Sequence, residues 1–276
     1  MINPIPLSTL CSALLTLCLG PAIVQAQAPP ASEPDPIAEY RAMFGDDNPA
    51  ELWQERGADL WRKPAGEKQA SLSAACDLGV GPGVIKGAYA QLPRYFSDTR
   101  QVQDLESRLL TCMSTIQGQD PALVVAQRFG DGERKSDLEA LSAFIVAASR
   151  GIVMQVSTRQ PQEQQAYELG KRVFYYRSGP HDFSCSTCHG QGGKRIRLQK
   201  LPDLTNPADA RSAYTSWPGY RVSQGELRTM EWRIADCFRQ QRLPQLQYGS
   251  EVAIALTMFM ARNANGGVIT APTIKR

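Results

Sequence analysis

The amino-acid sequence predicts a mainly α-helical protein with two related domains. Several segments place apolar residues at helical spacing, and few segments show the alternation of apolar and polar residues that marks a half-buried strand. The chain has 276 residues, which is long enough for two compact domains. A seven-residue pattern, with Glu, Arg and Cys at the same three positions, also occurs once in each half.

The composition excludes one class of partner. Hydrophobic residues make up 42% of the chain and charged residues 21%, and the formal net charge is +3. These values are ordinary for a globular protein, whereas a nucleic-acid-binding domain usually carries a strong excess of basic residues. We therefore expect no nucleic-acid partner.

The N-terminus is typical of a secretory signal peptide. A short apolar segment at 7–20 precedes the small residues around Ala26, and a Pro-rich stretch follows at 27–36. No Lys or Arg precedes the apolar segment, although signal peptides usually begin with a positive region. The segment is too short to span a bilayer, and no later segment approaches that length. We predict a signal peptide at 1–26, cleavage near Ala26 and a periplasmic protein without a membrane span.

Cys185, Cys188 and His189 form the pattern C-x-x-C-H. This pattern is typical of c-type haem attachment, in which two thiols add to the haem vinyl groups and the histidine ligates the iron. A zinc site is poorly supplied with ligands, because the chain has only two histidines and no second C-x-x-C. A thioredoxin-like motif requires a βαβ context, whereas a Gly-rich loop follows here. The sequence therefore predicts one covalently bound haem c.

Two segments suit the helices that would enclose this cofactor. Residues 162–177 carry apolar and aromatic side chains at helical spacing just before the motif, and residues 251–263 form a strongly apolar segment near the C-terminus. We expect the second helix to pack across the first. Met258 and Met260 lie in the second helix, where a role in the core is expected.

The two halves share the pattern E-x-R-x-x-x-C, at 106–112 and again at 231–237. An apolar helix follows the pattern in each half, at 138–149 and at 252–262. This common order predicts two related domains, 27–157 and 158–276.

The first half lacks a C-x-x-C-H motif and contains no histidine, so it cannot hold a second c-type haem. Its two cysteines, Cys76 and Cys112, are even in number and belong to an exported chain. A disulfide between them is the simplest assignment. Spacing alone also allows one of them to pair with Cys237.

Cys237 has no obvious structural partner. If 229–240 is a helix, Arg233 lies one turn away on the same side, and Arg239 and Arg242 add positive charge. Positive charge favours the thiolate and attracts anionic substrates. The second axial ligand of the iron is then either this thiolate or a methionine, with Met230, Met258 and Met260 as candidates. A methionine ligand would indicate a plain periplasmic electron-transfer cytochrome c.

The segments 185–190 and 231–242 resemble SoxA, the larger subunit of the SoxAX cytochromes of thiosulfate oxidation. In the first half, 87–96 and 105–109 are also similar to the family's N-terminal domain, so the resemblance extends from about Ile37 to the C-terminus. It implies tandem cytochrome c-like domains. Some members of the family carry two haems in this subunit, whereas this sequence resembles the single-haem branch.

The resemblance also implies an activity, L-cysteine S-thiosulfotransferase. The cysteine matching Cys237 would be both the distal haem ligand and the catalytic sulfur centre, and the arginine matching Arg233 would contact thiosulfate. The implied partners are a small SoxX-like cytochrome subunit, forming a heterodimer, and a SoxYZ-like sulfur carrier protein. An iron-bound thiolate is a poor nucleophile, so either the ligand dissociates in turnover or a persulfide sulfur bridges to the substrate. A non-catalytic interaction subunit is the remaining alternative.

Overall fold

A computed structural model describes residues 48–196 and 199–275. The predicted signal peptide and residues 27–47 of the predicted first domain lie outside this part of the chain. Helices dominate the described residues, as the sequence predicts. They are α1 (Ala50–Arg62), α2 (Leu72–Ala75), α3 (Leu105–Thr115), α4 (Pro121–Ala126), α5 (Asp137–Ala147), α6 (Pro161–Tyr175), α7 (Cys185–His189), α8 (Pro207–Thr215), α9 (Met230–Gln240) and α10 (Glu251–Asn263).

The strands are short and lie between helices. They are β1 (Arg94–Phe96), β2 (Gln101–Gln103), β3 (Arg195–Ile196), β4 (Gln199–Lys200), β5 (Gly219–Arg221), β6 (Glu226–Arg228) and β7 (Thr273–Lys275). β1 pairs with β2 and β3 with β4, each antiparallel. β5 is the central strand of a third sheet, antiparallel to β6 and parallel to β7.

In the first half, α1 packs across α5. α1 buries Trp53, Gly57 and Trp61, which recur at helical spacing along one side. A Cβ at Gly57 would collide with the carbonyl oxygen of Ala140 and with Cβ of Phe144. The glycine therefore allows the two helix backbones to approach closely.

In the second half, α6 packs across α10 in the same way. Both helices were predicted from the sequence, and α10 begins and ends at the predicted residues. A Cβ at Gly170 would collide with the carbonyl oxygen of Ala255 and with Cβ of Phe259. Met258 is fully buried in this core, and Met260 packs against it, as predicted. Each half thus has a helix crossing in which a glycine faces an alanine, with a phenylalanine one turn later.

A disulfide bond joins Cys76 to Cys112, which confirms the simplest assignment from the sequence. Cys76 follows α2 directly and Cys112 lies in α3. Both residues are buried in the main hydrophobic core. The bond therefore ties the loop region after α1 to a core helix.

The two halves are packed against each other through buried side chains. The rings of Tyr89 and Tyr214 stack with their centroids 6.1 Å apart. Arg228 forms a buried ion pair with Glu139, at 3.0 Å, and one core cluster contains residues of both halves. No helix within 48–196 or 199–275 has the length and apolar character needed to cross a membrane.

Candidate functional site

The C-x-x-C-H motif forms the short helix α7, whose start is fixed by Ser184. The hydroxyl of Ser184 accepts a hydrogen bond from the backbone N–H of Thr187, and the Thr187 hydroxyl accepts one from the backbone N–H of Ser184. This reciprocal cap satisfies two N–H groups of the first turn. Because Cys185 and Cys188 are three residues apart in this turn, their thiols lie on the same side of the helix.

The imidazole of His189 is oriented by a hydrogen bond. Its Nδ1–H donates a hydrogen bond of 2.9 Å to the carbonyl oxygen of Pro202, which leaves Nε2 as the lone-pair nitrogen. Burial lowers the pKa of the imidazole, and the charge of Arg233 acts in the same direction, while the bond to Pro202 opposes them. The histidine is therefore kept in the neutral form that can ligate a metal.

Cys237 lies in α9, which begins at the predicted position. The hydroxyl of Thr229 caps this helix by accepting a hydrogen bond from the N–H of Trp232. Cys237 is half-buried and interacts electrostatically with Cys188 and Cys185 of the motif. The fold thus brings Cys237 close to the two thiols of the motif, from which it is distant in the sequence.

The electrostatics of Cys237 differ from the sequence-based expectation. Burial raises the pKa of the thiol and outweighs the opposing charges of Arg233 and Arg221, while Asp236 raises it further. The positive charge therefore favours the thiolate, as expected, but burial has the larger effect. A bound metal cation would supply the missing stabilisation, because it deprotonates a coordinated thiol.

The donor set fits a covalently bound haem. Two free thiols on one side of α7 match the attachment chemistry, and a neutral imidazole with its Nδ1 already occupied presents Nε2 to an iron. Arg233 acts electrostatically on both His189 and Cys237, so these two residues face a common region. Imidazole and thiolate are both ligands that haem iron accepts.

The arginines near Cys237 in the sequence differ in exposure and in their ion pairs. Arg233 is partly exposed and forms an ion pair of 3.4 Å with Asp236. Arg239 also pairs with Asp236, at 2.7 Å, and its side chain is 74% exposed. Arg242 is exposed as well. The charge of Arg239 is therefore screened by solvent and partly neutralised by Asp236.

Sequence reasoning missed Arg221, which acts electrostatically on both Cys237 and Arg233. It lies in β5, and the β5–β6 hairpin leads through Thr229 directly into α9. No spacing relative to Cys237 signals this proximity, since it arises from the hairpin folding back. Only the turn residue Gly225, which has a φ of 65°, indicates the hairpin locally.

Comparisons with known proteins indicate the family to which this chain belongs. A family model described as "SoxA/TsdA, cytochrome c domain" matches residues 56–154. L-cysteine S-thiosulfotransferase subunit SoxA of Hydrogenophilus thermoluteolus is 51% identical over 240 residues, 87% of each chain. The protein of the same name from Hydrogenobacter thermophilus is 35% identical over 229 residues, which cover 83% of this chain and 82% of the relative.

A solved structure shares the fold. The crystal structure of SoxXA from P. pantotrophus superimposes with a TM-score of 0.71 and 23% identity, over 86% of this chain and 84% of that chain. The helix-rich fold is therefore cytochrome c-like, as predicted. Because two relatives more than 30% identical match most of its length, the chain belongs to the SoxA family.

Proposed function

We propose that this chain is the haem-bearing subunit of an L-cysteine S-thiosulfotransferase, which couples thiosulfate oxidatively to a cysteine of a SoxYZ-type carrier protein. The observation that carries the proposal is the proximity of Cys237, with Arg233 one turn away, to the thiols of the haem-attachment motif. A sulfur centre, a cation for an anionic substrate and a redox cofactor then share one site.

The reaction must release electrons as well as form a bond. The terminal sulfur of thiosulfate joins the carrier thiol in one sulfur–sulfur bond, and two electrons and the thiol proton leave. The covalent haem c, when bound, supplies one-electron redox chemistry that passes these electrons onward. Cys185 and Cys188 would attach it, and His189 and Cys237 would ligate its iron.

The protein side chains bind and orient the sulfur compounds. Thiosulfate is a dianion, and the guanidinium of Arg233 would hold its sulfonate oxygens by charge-assisted hydrogen bonds. Asp236 neutralises part of this cation in the absence of substrate, since the two groups are 3.4 Å apart. The catalytic sulfur is that of Cys237, which carries the sulfur adduct during turnover.

We further propose that the chain consists of two related cytochrome c-like domains, 27–157 and 158–276, of which only the second holds haem. The repeated glycine–alanine–phenylalanine crossing of α1 with α5 and of α6 with α10 supports this duplication. The match of the cytochrome c family model to residues 56–154 also supports it, because those residues lie in the half without a C-x-x-C-H motif.

The disulfide suggests how the first domain is stable without haem. An isolated β-bridge precedes α2 and another precedes α7, and the sequence separation from Gly57 to Gly170 equals that from Cys76 to His189. Cys76 is thus equivalent to His189, and Cys112 is equivalent to Cys237 in the pattern E-x-R-x-x-x-C. The disulfide joins the two positions whose equivalents in the second domain would ligate the iron.

We place the protein in the periplasm, as a heterodimer with a small SoxX-like cytochrome. The structure of SoxXA, which shares the fold, supports the partner. The predicted signal peptide at 1–26 supports the location, since haem attachment to C-x-x-C-H accompanies export. The partner's haem would continue the electron relay.

Substitution of Cys237 tests the proposed function. With the partner cytochrome, the carrier protein and thiosulfate present, Cys237→Ala is expected to lose coupling activity while keeping its covalent haem, because Cys185 and Cys188 are unchanged. Met260→Leu is the matched control, since it removes a sulfur of the α10 core. Full activity in Cys237→Ala, together with loss of the native haem spectrum in Met260→Leu, would support the plain electron carrier instead.

A further inference from the structure

Arg221 in β5 is a cation that forms no ion pair within the part of the chain that the structure describes. Its side chain is half-buried, and its buried Nε–H has no hydrogen-bond partner among the described residues. Its neighbours differ, since Arg228 is paired with Glu139 and Arg233 with Asp236.

The unpaired guanidinium is positioned by packing alone. Its central carbon lies 5.7 Å from the centroid of the Trp232 ring, and that of Arg228 lies 5.1 Å from the same centroid. A cation–π contact of this kind fixes the plane of a guanidinium while leaving its N–H groups available. Trp232 directly precedes Arg233, so the contact also holds Arg221 beside the first turns of α9.

The location of Arg221 is the region of the catalytic sulfur. It interacts electrostatically with Cys237, with Arg233 and with Asp236. Arg221 is therefore associated with Cys237 and with the start of α9.

Two neighbouring arginines repel each other unless an anion lies between them. Burial of Arg221 and the charge of Arg233 both disfavour its charged form, yet an arginine remains protonated in proteins. The carboxylate of Asp236 compensates only part of this charge, because it is shared with Arg239. An arrangement that keeps two cations together without ligand is complementary to a dianion.

We propose that Arg221 is a second substrate-binding arginine, which holds the sulfonate oxygens of thiosulfate together with Arg233. This inference rests on the function proposed above. Arg221 binds the sulfonate end and leaves the terminal sulfur directed at Cys237. Two guanidinium groups supply enough donors for a group with three oxygens, which a single arginine engages only in part.

The test compares anion binding with turnover in the full chain carrying haem, assembled with its partner proteins. Arg221→Gln removes the positive charge. Arg221→Lys keeps the charge but lacks the planar guanidinium group with its paired N–H donors. The exposed Arg172 of α6 provides the control Arg172→Gln. The measurements are KM and kcat for thiosulfate, the inhibition constant of inorganic sulfate as a competing dianion, the haem reduction potential and the thermal midpoint.

We expect Arg221→Gln to raise KM and the sulfate inhibition constant about tenfold, the effect of losing one charge-assisted interaction, with kcat within about twofold. Arg221→Lys is expected to show a smaller rise in both, because lysine lacks the bidentate geometry, and it replaces Arg221→Gln if that variant does not fold. The control should change neither constant.

Unchanged KM and inhibition constants in both variants would overturn the inference. So would a shifted haem potential with unchanged constants, because that result assigns Arg221 to a haem propionate. If the unsubstituted protein itself shows no saturable coupling of thiosulfate, the proposed function fails, and this outcome is distinct from a failure at Arg221.

Discussion

Glu106 provides a test of how the two halves hold the helix that carries Cys237. Its carboxyl group, on α3, lies beside the Thr229 hydroxyl and the backbone N–H of Glu231 at the start of α9, and both of these groups act to lower its pKa. The residue is 8% exposed. Burial raises its pKa to about 8, and the nearby carboxyls of Asp104 and Glu139 act in the same direction. The start of α9 is thus fixed by a carboxyl group that is protonated near neutral pH.

The consequence for stability follows from proton linkage. Below its unfolded pKa of 4.5, Glu106 is protonated in both states, and the stability it contributes is fully present. Between pH 4.5 and about 8 the folded protein holds a proton that the unfolded chain has lost. The free energy of unfolding therefore falls by about 1.4 kcal/mol per pH unit, or about 3 kcal/mol between pH 5 and pH 7.

Glu106→Gln removes this titration, because the amide has the shape and the acceptor oxygen of the protonated carboxyl. Denaturant unfolding at pH 5, 6 and 7 should show a free energy that depends less steeply on pH in the variant than in the unsubstituted protein. Asp104 and Glu231, two neighbouring buried carboxyl groups whose pKa values are also raised, leave a remaining slope in both proteins. Parallel pH dependences for the two proteins would refute the reasoning.

Three further substitutions test the packing of the fold. Replacing both Cys76 and Cys112 by serine opens a loop with a sequence separation of 36. The free energy of unfolding, measured in urea, should then fall by about 4 kcal/mol. A loss under about 1 kcal/mol would contradict a stabilising role of the disulfide. Gly170→Ala should lower the free energy of unfolding by about 1–3 kcal/mol, because its Cβ would collide with α10. The control Gly192→Ala, which has open space around the added Cβ, should leave the thermal midpoint unchanged. Equal effects of the two substitutions would argue against the close crossing. Thr229→Ala should cost about 1 kcal/mol through loss of the α9 cap, and Thr229→Ser should restore most of it; failure of serine to do so would exclude the capping role.

The sequence predicts the elements whose signal is local. The bounds of α10 follow from apolar spacing. The pattern C-x-x-C-H predicts Cys185 and Cys188 as attachment cysteines without knowledge of the fold. The disulfide follows from an even cysteine count in the first half.

The missed features depend on contacts between distant segments. Arg221 reaches the site because the β5–β6 hairpin folds back onto α9, and the carboxyl cluster of Asp104, Glu106 and Glu231 forms only when α3 meets α9. The charge of Arg239 was counted as free, whereas in the structure it is paired with Asp236.

The glycine–alanine–phenylalanine repeat is present in the sequence but has no local signature. Gly57 and Ala140 are far apart in the chain, and their relation becomes visible only once α1 is seen to cross α5. Periodicity identifies the apolar side of each helix. It does not show which residue sets the distance between two helices, because that residue depends on which two helices cross.

The central proposal is that the sulfur of Cys237 is the distal ligand of the haem. Low-temperature electron paramagnetic resonance of the oxidised haem-bearing chain measures this, because thiolate and thioether ligation give different low-spin signals. We predict a thiolate-type signal that is lost in Cys237→Ala and unchanged in Met260→Leu. A histidine–methionine signal that persists in Cys237→Ala would contradict the account.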